Sequence, residues 1–160
     1  MKNALITGIT GQDGGYLAKL LVSKGYKVYG AQRRNTGNKH WRLDELNITD
    51  HIEFIDIDLS EPYNIEKVID KVKPDEIYNL AAQSFVGLSF EQPQVTTISN
   101  ALGVLNILEV LRNKYPKIKF YQASTSEMFG KVTEIPQKET TRFYPRSPYG
   151  CAKAYSHYLT

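Results

Sequence analysis

Apolar residues fall in two rhythms along the chain. Short dense runs alternate with longer stretches in which apolar positions recur every three or four residues. The dense runs, read as strands, are residues 3–7, 26–31, 52–57, 76–80 and 119–123. Between the first two, residues 12–24 repeat Tyr16, Leu17, Leu20 and Leu21 at helical spacing, and Gly25 suits the position just past a helix end. Residues 61–73 gather Ile65, Val68, Ile69 and Val72 on one helical face until Pro74-Asp75 stops the pattern. Residues 94–112 do the same with Val104, Leu105, Leu108 and Leu111, and a last helix runs from Tyr149 to the end. Residues 33–41 read as a polar loop, and residues 85–93 show neither period. Residues 130–148 hold three prolines and read as a loop of a length usually kept for function.

Strands separated by helices imply right-handed crossovers, hence a parallel sheet with helices on both faces. Ligands of such sheets sit beyond the carboxyl ends of the strands, so the turns after each strand carry the interest. At 160 residues, 41% hydrophobic and 23% charged, the chain is the size and composition of one globular domain. Nothing approaches the ~18 consecutive apolar residues of a membrane span, and the N-terminus lacks a signal peptide's apolar core. No membrane partner and a cytoplasmic location are therefore expected. A net charge of +3, from 20 basic and 17 acidic residues, is too mild to argue for nucleic acid. Three histidines and one cysteine supply no metal-ligand cluster, so no metal is expected. Cys151 lacks a partner base and is expected to be a small buried side chain.

The first turn runs Thr7-Gly8-Ile9-Thr10-Gly11-Gln12-Asp13-Gly14 between a strand and a helix. Its three glycines suit, in order, a tight turn, close approach of a phosphate to the backbone, and close packing of helix on strand. The helix start then offers free N–H groups and a partial positive charge to a pyrophosphate. The spacing GxxGxxG, preceded by threonine, resembles the extended short-chain dehydrogenase/reductase superfamily. Where an NAD site carries an acid at the end of the second strand, this chain has Gln32, Arg33 and Arg34. Guanidinium groups suit a ribose 2′-phosphate, which favours NADP over NAD. Asp58 and Leu59 follow the third strand and are placed to meet the adenine, although Asp58 could equally cap the next helix.

Tyr149 and Lys153 stand four residues apart, on one face of a helix. A nearby ammonium favours the phenolate and makes the tyrosine a usable general base. After the fifth strand comes Ser124-Thr125-Ser126-Glu127. Thr125 offers a hydroxyl to a substrate oxygen, and Glu127 is an acid–base group two positions on. Glycine turn, hydroxyl residue and YxxxK follow the order of short-chain dehydrogenases.

The segments TGITGQDG (7–14), Arg33-Arg34, DEIYNLAAQS (75–84), SFEQP (89–93) and QASTSEMFGKVTEIPQKETTRFYPRSPY (122–149) together resemble the GDP-mannose 4,6-dehydratase family over essentially the whole chain. Phe85 and Val95 depart from it, standing where a histidine and a tyrosine are usual. The resemblance implies a Rossmann-like, doubly wound parallel sheet, truncated before its last strands and substrate domain. Residues 1–160 would form the NADP-binding domain and be inactive alone. It further implies an NADP-dependent lyase acting on GDP-mannose as a homo-oligomer, dimer or tetramer. Gly8–Asp13, Asp58, Leu59, Leu80, Ala81, Ala82, Gln83 and Ser84 would line the cofactor, joined by Tyr149 and Lys153. Ser84, Thr125, Ser126 and Glu127 would meet the sugar. The implied reaction is transient oxidation at C4 with Tyr149 as base, proton removal at C5 by Glu127, loss of the C6 hydroxyl as water, and hydride return to C6. Two rival readings share the glycine turn: a nucleotide-sugar epimerase or 4-keto reductase, which needs no base at C5, and a non-catalytic NADP-binding module.

Overall fold

The computed structural model describes residues 1–34 and 40–160; the expected loop 33–41 lies mostly outside the described residues. Five strands form one all-parallel sheet: β1 (Asn3–Thr7), β2 (Lys27–Gln32), β3 (Ile52–Asp56), β4 (Glu76–Asn79) and β5 (Lys119–Gln122). Their order is β3-β2-β1-β4-β5, so the winding reverses between β1 and β4. That reversal opens a crevice at the carboxyl edge of the sheet, because the connections on either side of it leave in opposite directions. All five expected strands form, their bounds differing by one residue or none.

The inner strands are largely buried on both faces, and β1 shows why they read as continuous apolar runs. Ala4 and Ile6 point to one side, where they pack with Ala18 and Leu21 of α1 (Gln12–Ser23) and Leu43 of α2 (Trp41–Glu45). Leu5 points to the other side, where the core is built from Ile65, Val68, Ile69 and Val72 of α3 (Pro62–Val72) and from Ile107, Val110 and Leu111 of a later helix. The alternation of Cβ directions along a strand thus supplies two cores with one sequence.

The segment without a clear period, residues 85–93, contains a short helix, α4 (Val86–Glu91). The expected helix 94–112 extends over Pro93–Lys114 and is not uniform. It comprises α5 (Pro93–Thr97), one π turn (Ile98–Leu102) and α6 (Gly103–Lys114). By length and composition this run could cross a membrane, but half of its most apolar stretch is buried inside the fold, as in a core helix. A 3₁₀ turn, Ser126–Met128, follows β5, and a long loop leads to α7 (Pro148–Leu159). Among the described residues no group of three metal-ligating side chains occurs.

The expectation for Cys151 is wrong: its side chain is exposed. On α7 the buried positions include Tyr149, Ala152, Lys153 and Ser156, whereas Cys151, Tyr155 and Tyr158 form the outward stripe at helical spacing. Asp58 does not cap α3 either. The N-cap is Glu61, and Asp58 Oδ1 instead accepts from the Ser60 amide and hydroxyl at 2.9 and 2.7 Å, closing the turn ahead of the helix.

Ile69 is 1% exposed at the centre of the α3 core, whereas Phe90 on α4 is 62% exposed. Ile69→Ala is expected to lower the unfolding free energy by about 2–5 kcal/mol through lost transfer energy and a residual cavity. Phe90→Ala is expected to change it by about 0.5 kcal/mol or less. Urea denaturation of the two variants beside the parent checks both.

Candidate active site

The cleft lies where the topology requires it. A cavity of about 590 Å³ opens at the β1/β4 reversal, lined by Thr7, Gly8, Thr10 and Gly11 after β1 and by Leu80, Ala81, Ala82, Gln83 and Ser84 after β4. Ala31, Gln32, Arg33 and His40 line it on the β2 side, Ile57 and Leu59 on the β3 side, and Val95 and Ser99 on the long helical run.

Gly8 is the residue that lets the two turns meet. Its φ is +70°, and a Cβ there would lie 2.8 Å from Ala81 N and 2.9 Å from the Leu80 carbonyl carbon. Both the backbone conformation and the contact exclude a side chain. Gly14 packs α1 equally closely, since its Cβ would sit 2.5 Å from Gly8 O. Gly11 is the N-cap of α1 and makes no side-chain cap bond, so the amides of the first turn have no side-chain acceptor from the cap. Ile9 is fully buried beneath the turn and serves packing; Gln12, Asp13 and Gly14 belong to the first turn of α1 and do not line the cavity.

The two arginines separate. Both are exposed, but Arg33 lines the cavity and donates to Ser99 Oγ at 3.4 Å, whereas Arg34 is outside the lining. Asp58 is also outside the lining. Its carboxyl is held below the ordinary carboxylate value by the Ser60 hydroxyl and amide, with a smaller contribution from the charge of Arg33.

A buried chain of hydrogen bonds ties this cleft to the second half of the site. Thr7, Asn79 and Gln122 are in register across β1, β4 and β5. The Ala81 amide donates to Thr7 Oγ1 at 3.1 Å, and the Thr7 hydroxyl donates to Asn79 Oδ1 at 2.5 Å. Asn79 Nδ2 donates to Gln122 Oε1 at 2.7 Å, and Gln122 Nε2 donates to Ala123 O at 2.9 Å. Lys153 Nζ, from α7, donates to that same carbonyl at 2.7 Å. Thr7 and Asn79 are 1% and 0% exposed, so the bonds of these two side chains satisfy groups that would otherwise be stranded from water.

The π turn supplies the other tether. Asn100, 1% exposed, holds the turn after β4 with both ends of its amide: Gln83 N donates to Oδ1 and Nδ2 donates to Gln83 O, each at 2.8 Å. Asn100 O accepts from Ser156 Oγ of α7 at 2.5 Å. A single π turn locally alters the helical hydrogen bonding, a device found often at functional sites.

Thr125 caps the 3₁₀ turn, its Oγ1 accepting from Glu127 N at 3.3 Å. That bond uses a lone pair and leaves the O–H proton for another acceptor. Glu127 and Ser126 are exposed. The turn lies directly against the start of α7, where a Cβ on Gly150 would come within 2.7 Å of Glu127 O. Glycine beside Tyr149 is what allows the Glu127 backbone to approach the helix end that carries the tyrosine. Tyr149 is 7% exposed, and among the described residues its hydroxyl has no hydrogen-bond partner. Lys153 is 4% exposed, and burial pushes its ammonium below the ordinary lysine value.

The residues present fit a dinucleotide. Gln83 Oε1 is buried beside the cleft with no partner among the described residues, an acceptor set for a ligand hydroxyl or amide. The glycine cradle and uncapped α1 suit a pyrophosphate. Sequence reasoning missed Thr7, Asn79, Asn100 and Gln122. Their signal is polarity at positions that the strand and helix patterns mark as buried.

Lys153 titrates at a lower pH folded than unfolded, so between its folded value and 10.5 the unfolded chain binds more protons and stability rises with pH. Lys153→Met removes this dependence. The unfolding free energy of the parent is therefore expected to gain on that of Lys153→Met as pH rises from 7 toward 10.5, measured by urea denaturation at several pH values. A constant difference across that range would contradict the burial of the ammonium.

A sequence profile of the GDP-mannose 4,6 dehydratase family matches residues 5–160. A GDP-mannose 4,6-dehydratase of Vibrio cholerae serotype O1 is 50% identical over 166 residues, covering 99% of this chain and 44% of that protein. The Homo sapiens GDP-mannose 4,6 dehydratase is 49% identical over 164 residues, covering 98% of this chain and 44% of its own. The chain thus spans less than half the length of these curated relatives. Among solved structures, the UDP-glucose 4-epimerase of Thermotoga maritima with UDP-glucose superposes with a TM-score of 0.85 at 29% identity, covering 98% of this chain and 50% of that one. The UDP-glucose 4-epimerase of Bifidobacterium longum in complex with NAD+ and UDP gives 0.86 at 24%, covering 98% and 47%, a likeness of fold. Because the family profile extends from residue 5 to residue 160 and the identity to these two relatives is about one residue in two, the chain belongs to the GDP-mannose 4,6-dehydratase family.

Proposed function

We propose that the chain is the NADP-binding half of an enzyme that removes water from a nucleotide sugar, GDP-mannose, across C5 and C6. The observation that carries the reading is the placement of the Glu127 turn against the α7 terminus that bears Tyr149, made possible by Gly150. An epimerase or 4-keto reductase needs the tyrosine but has no use for a carboxylate there. Family membership supports the same reading, and the length of the relatives makes the whole activity a property of more chain than these 160 residues.

In this reading the nicotinamide, when bound, supplies the acceptor and donor of hydride. Gly8, Thr10, Gly11 and the first turn of α1 hold the pyrophosphate, and Gln83 Oε1 meets a polar group of the ligand. Tyr149 takes the proton of the C4 hydroxyl. Lys153, anchored on Ala123 O, stands four residues on along the same face of α7 as the tyrosine. Thr125 donates its O–H to the substrate oxygen. The C4 ketone acidifies C5, Glu127 removes that proton, and the same carboxyl then protonates the C6 hydroxyl as it leaves as water; hydride return to C6 and delivery to C5 of the solvent-exchangeable proton that Tyr149 had taken leave no net oxidation.

The test uses the chain alone and a chimera in which it replaces the matching part of the Vibrio cholerae relative. With GDP-mannose in deuterium oxide, the chimera is expected to release water and to incorporate deuterium at C5. A positioned carboxylate contributes about 10²–10⁴-fold to such a proton transfer. Glu127→Gln is expected to lose both signals by that factor while NADP affinity stays within about twofold. Deuterium entering C5 at the parent rate in Glu127→Gln would remove Glu127 from the role of base. Inversion at C4 without loss of water by the parent chimera would put the epimerase reading first.

A further inference from the structure

The second half of α7 makes a contact that the cleft does not use. His157 stands four residues beyond Lys153, on the same face of the helix. Lys153 Nζ donates to Ala123 O at 2.7 Å, and one turn further His157 Nδ1 lies 3.0 Å from Ser124 Oγ. Two successive turns of α7 therefore hold two successive residues. Those residues are all that separates the end of β5 at Gln122 from Thr125, the N-cap of the 3₁₀ turn that carries Glu127.

Ser124 and His157 are both exposed, so their hydrogen bond competes with water unless the ring is held. The ring is held. The imidazole lies edge-on to Phe143, with centroids 5.2 Å apart and planes at 79°, and edge-on to Tyr158 at 5.8 Å and 74°. Phe143 in turn meets Phe129 edge-on at 5.0 Å. Its neighbour Tyr144 is tied to the 3₁₀ turn, since Tyr144 N donates to Met128 O at 3.1 Å. At His157, then, α7 meets both the residues after β5 and the returning end of the long loop. The serine hydroxyl can donate to a bare Nδ1 or accept from a protonated one, so the bond persists in either state of the ring. One hydrogen bond leaves a backbone segment free to swing about it. A second, one residue along and one helical turn away, removes that freedom and sets the direction in which the chain leaves β5.

We propose that His157 is a positioning residue: through Ser124 it fixes the turn that presents Thr125 and Glu127 to the substrate, with Phe143 and Tyr158 holding its ring. The assignment rests on the dehydratase reading of the site and deepens it, because it names what aims the base at C5. Neither Ser124 nor His157 lines the cleft, so the dinucleotide is held without them.

The experiment uses the chimera with the Vibrio cholerae relative and two readouts. One is deuterium entry at C5 of GDP-mannose. The other is amide exchange of Met128 and Phe129, whose N–H groups close the 3₁₀ turn on Thr125 O and Ser126 O. His157→Phe keeps an aromatic ring and loses the hydrogen bond, and Ser124→Ala loses it from the other side. Each is expected to lower kcat for C5 exchange by about 3- to 10-fold, the size of one net hydrogen bond, with KM for GDP-mannose and the affinity for NADP changed by about twofold or less. The double variant is expected to lose no more than either single one, because both remove the same bond. His157→Asn, whose amide sets a donor and an acceptor near the place of Nδ1, is expected to recover most of the rate. The two amides are expected to exchange faster in His157→Phe and Ser124→Ala and at the parent rate in His157→Asn. Losses that multiply in the double variant, or a parent C5 rate in His157→Phe, overturn the assignment. A rate lost as fully in His157→Asn as in His157→Phe, with Ser124→Ala at the parent rate, would make the imidazole a proton carrier and overturn it too. A parent chimera that incorporates no deuterium overturns the dehydratase reading; the hold of His157 on the turn then stands or falls with the two amides, and unchanged exchange in both single variants overturns it.

Discussion

Thr7, Asn79 and Gln122 sit side by side on three adjacent strands, and the hydrogen bonds between them run from the Ala81 amide at one end to the Ala123 carbonyl and Lys153 at the other. The parallel register puts them there, so the network is a consequence of how the strands align. A polar group left without a partner at this depth costs about 1–3 kcal/mol, which makes any slippage of β1, β4 or β5 by one residue expensive. The same bonds fix the turns after β1 and β4 relative to the helix that carries Tyr149. The cleft and that helix are therefore two ends of one hydrogen-bonded structure.

Two close approaches complete it. Gly8 brings the turn after β1 onto the backbone after β4, and Gly150 brings the turn after β5 onto α7. In each case the contact is backbone on backbone, which no rotamer change can relieve. Asn100 in the π turn adds a third link, since it holds Gln83 with its side chain and Ser156 with its carbonyl. Turns that would otherwise be mobile are pinned at the places where a ligand would meet them, an arrangement that favours preorganised binding over closure around the ligand.

Much of this was legible in the sequence, for physical reasons that differ from element to element. The inner strands were readable because burial on both faces leaves little room for polar residues, and the glycine turn because its spacing admits few other uses. Tyr149 and Lys153 were readable because spacing of four on a helix forces a shared face. Asn79 and Gln122 were not singled out. A polar residue inside an apolar run has a partner that only the register reveals, and register is a long-range property. Cys151 was misread because its surroundings in sequence, between Tyr149 and Lys153, do not share its side of the helix. Gln32 shows in the sequence only as the place of a missing acid; its contact with His40 depends on a residue eight positions away that stacks on the neighbouring strand.

The register-built network couples the two ends of the site. Gln122 does not line the cleft, yet the network passes through it. The most direct measurement is the dissociation constant of NADP for Gln122→Leu beside the parent, at a temperature where both are fully folded. Coupling through packed, hydrogen-bonded side chains amounts to about 0.5–2 kcal/mol, so NADP affinity is expected to fall by about 2- to 30-fold. An affinity equal to that of the parent would contradict the coupling and reduce the network to a local determinant of stability.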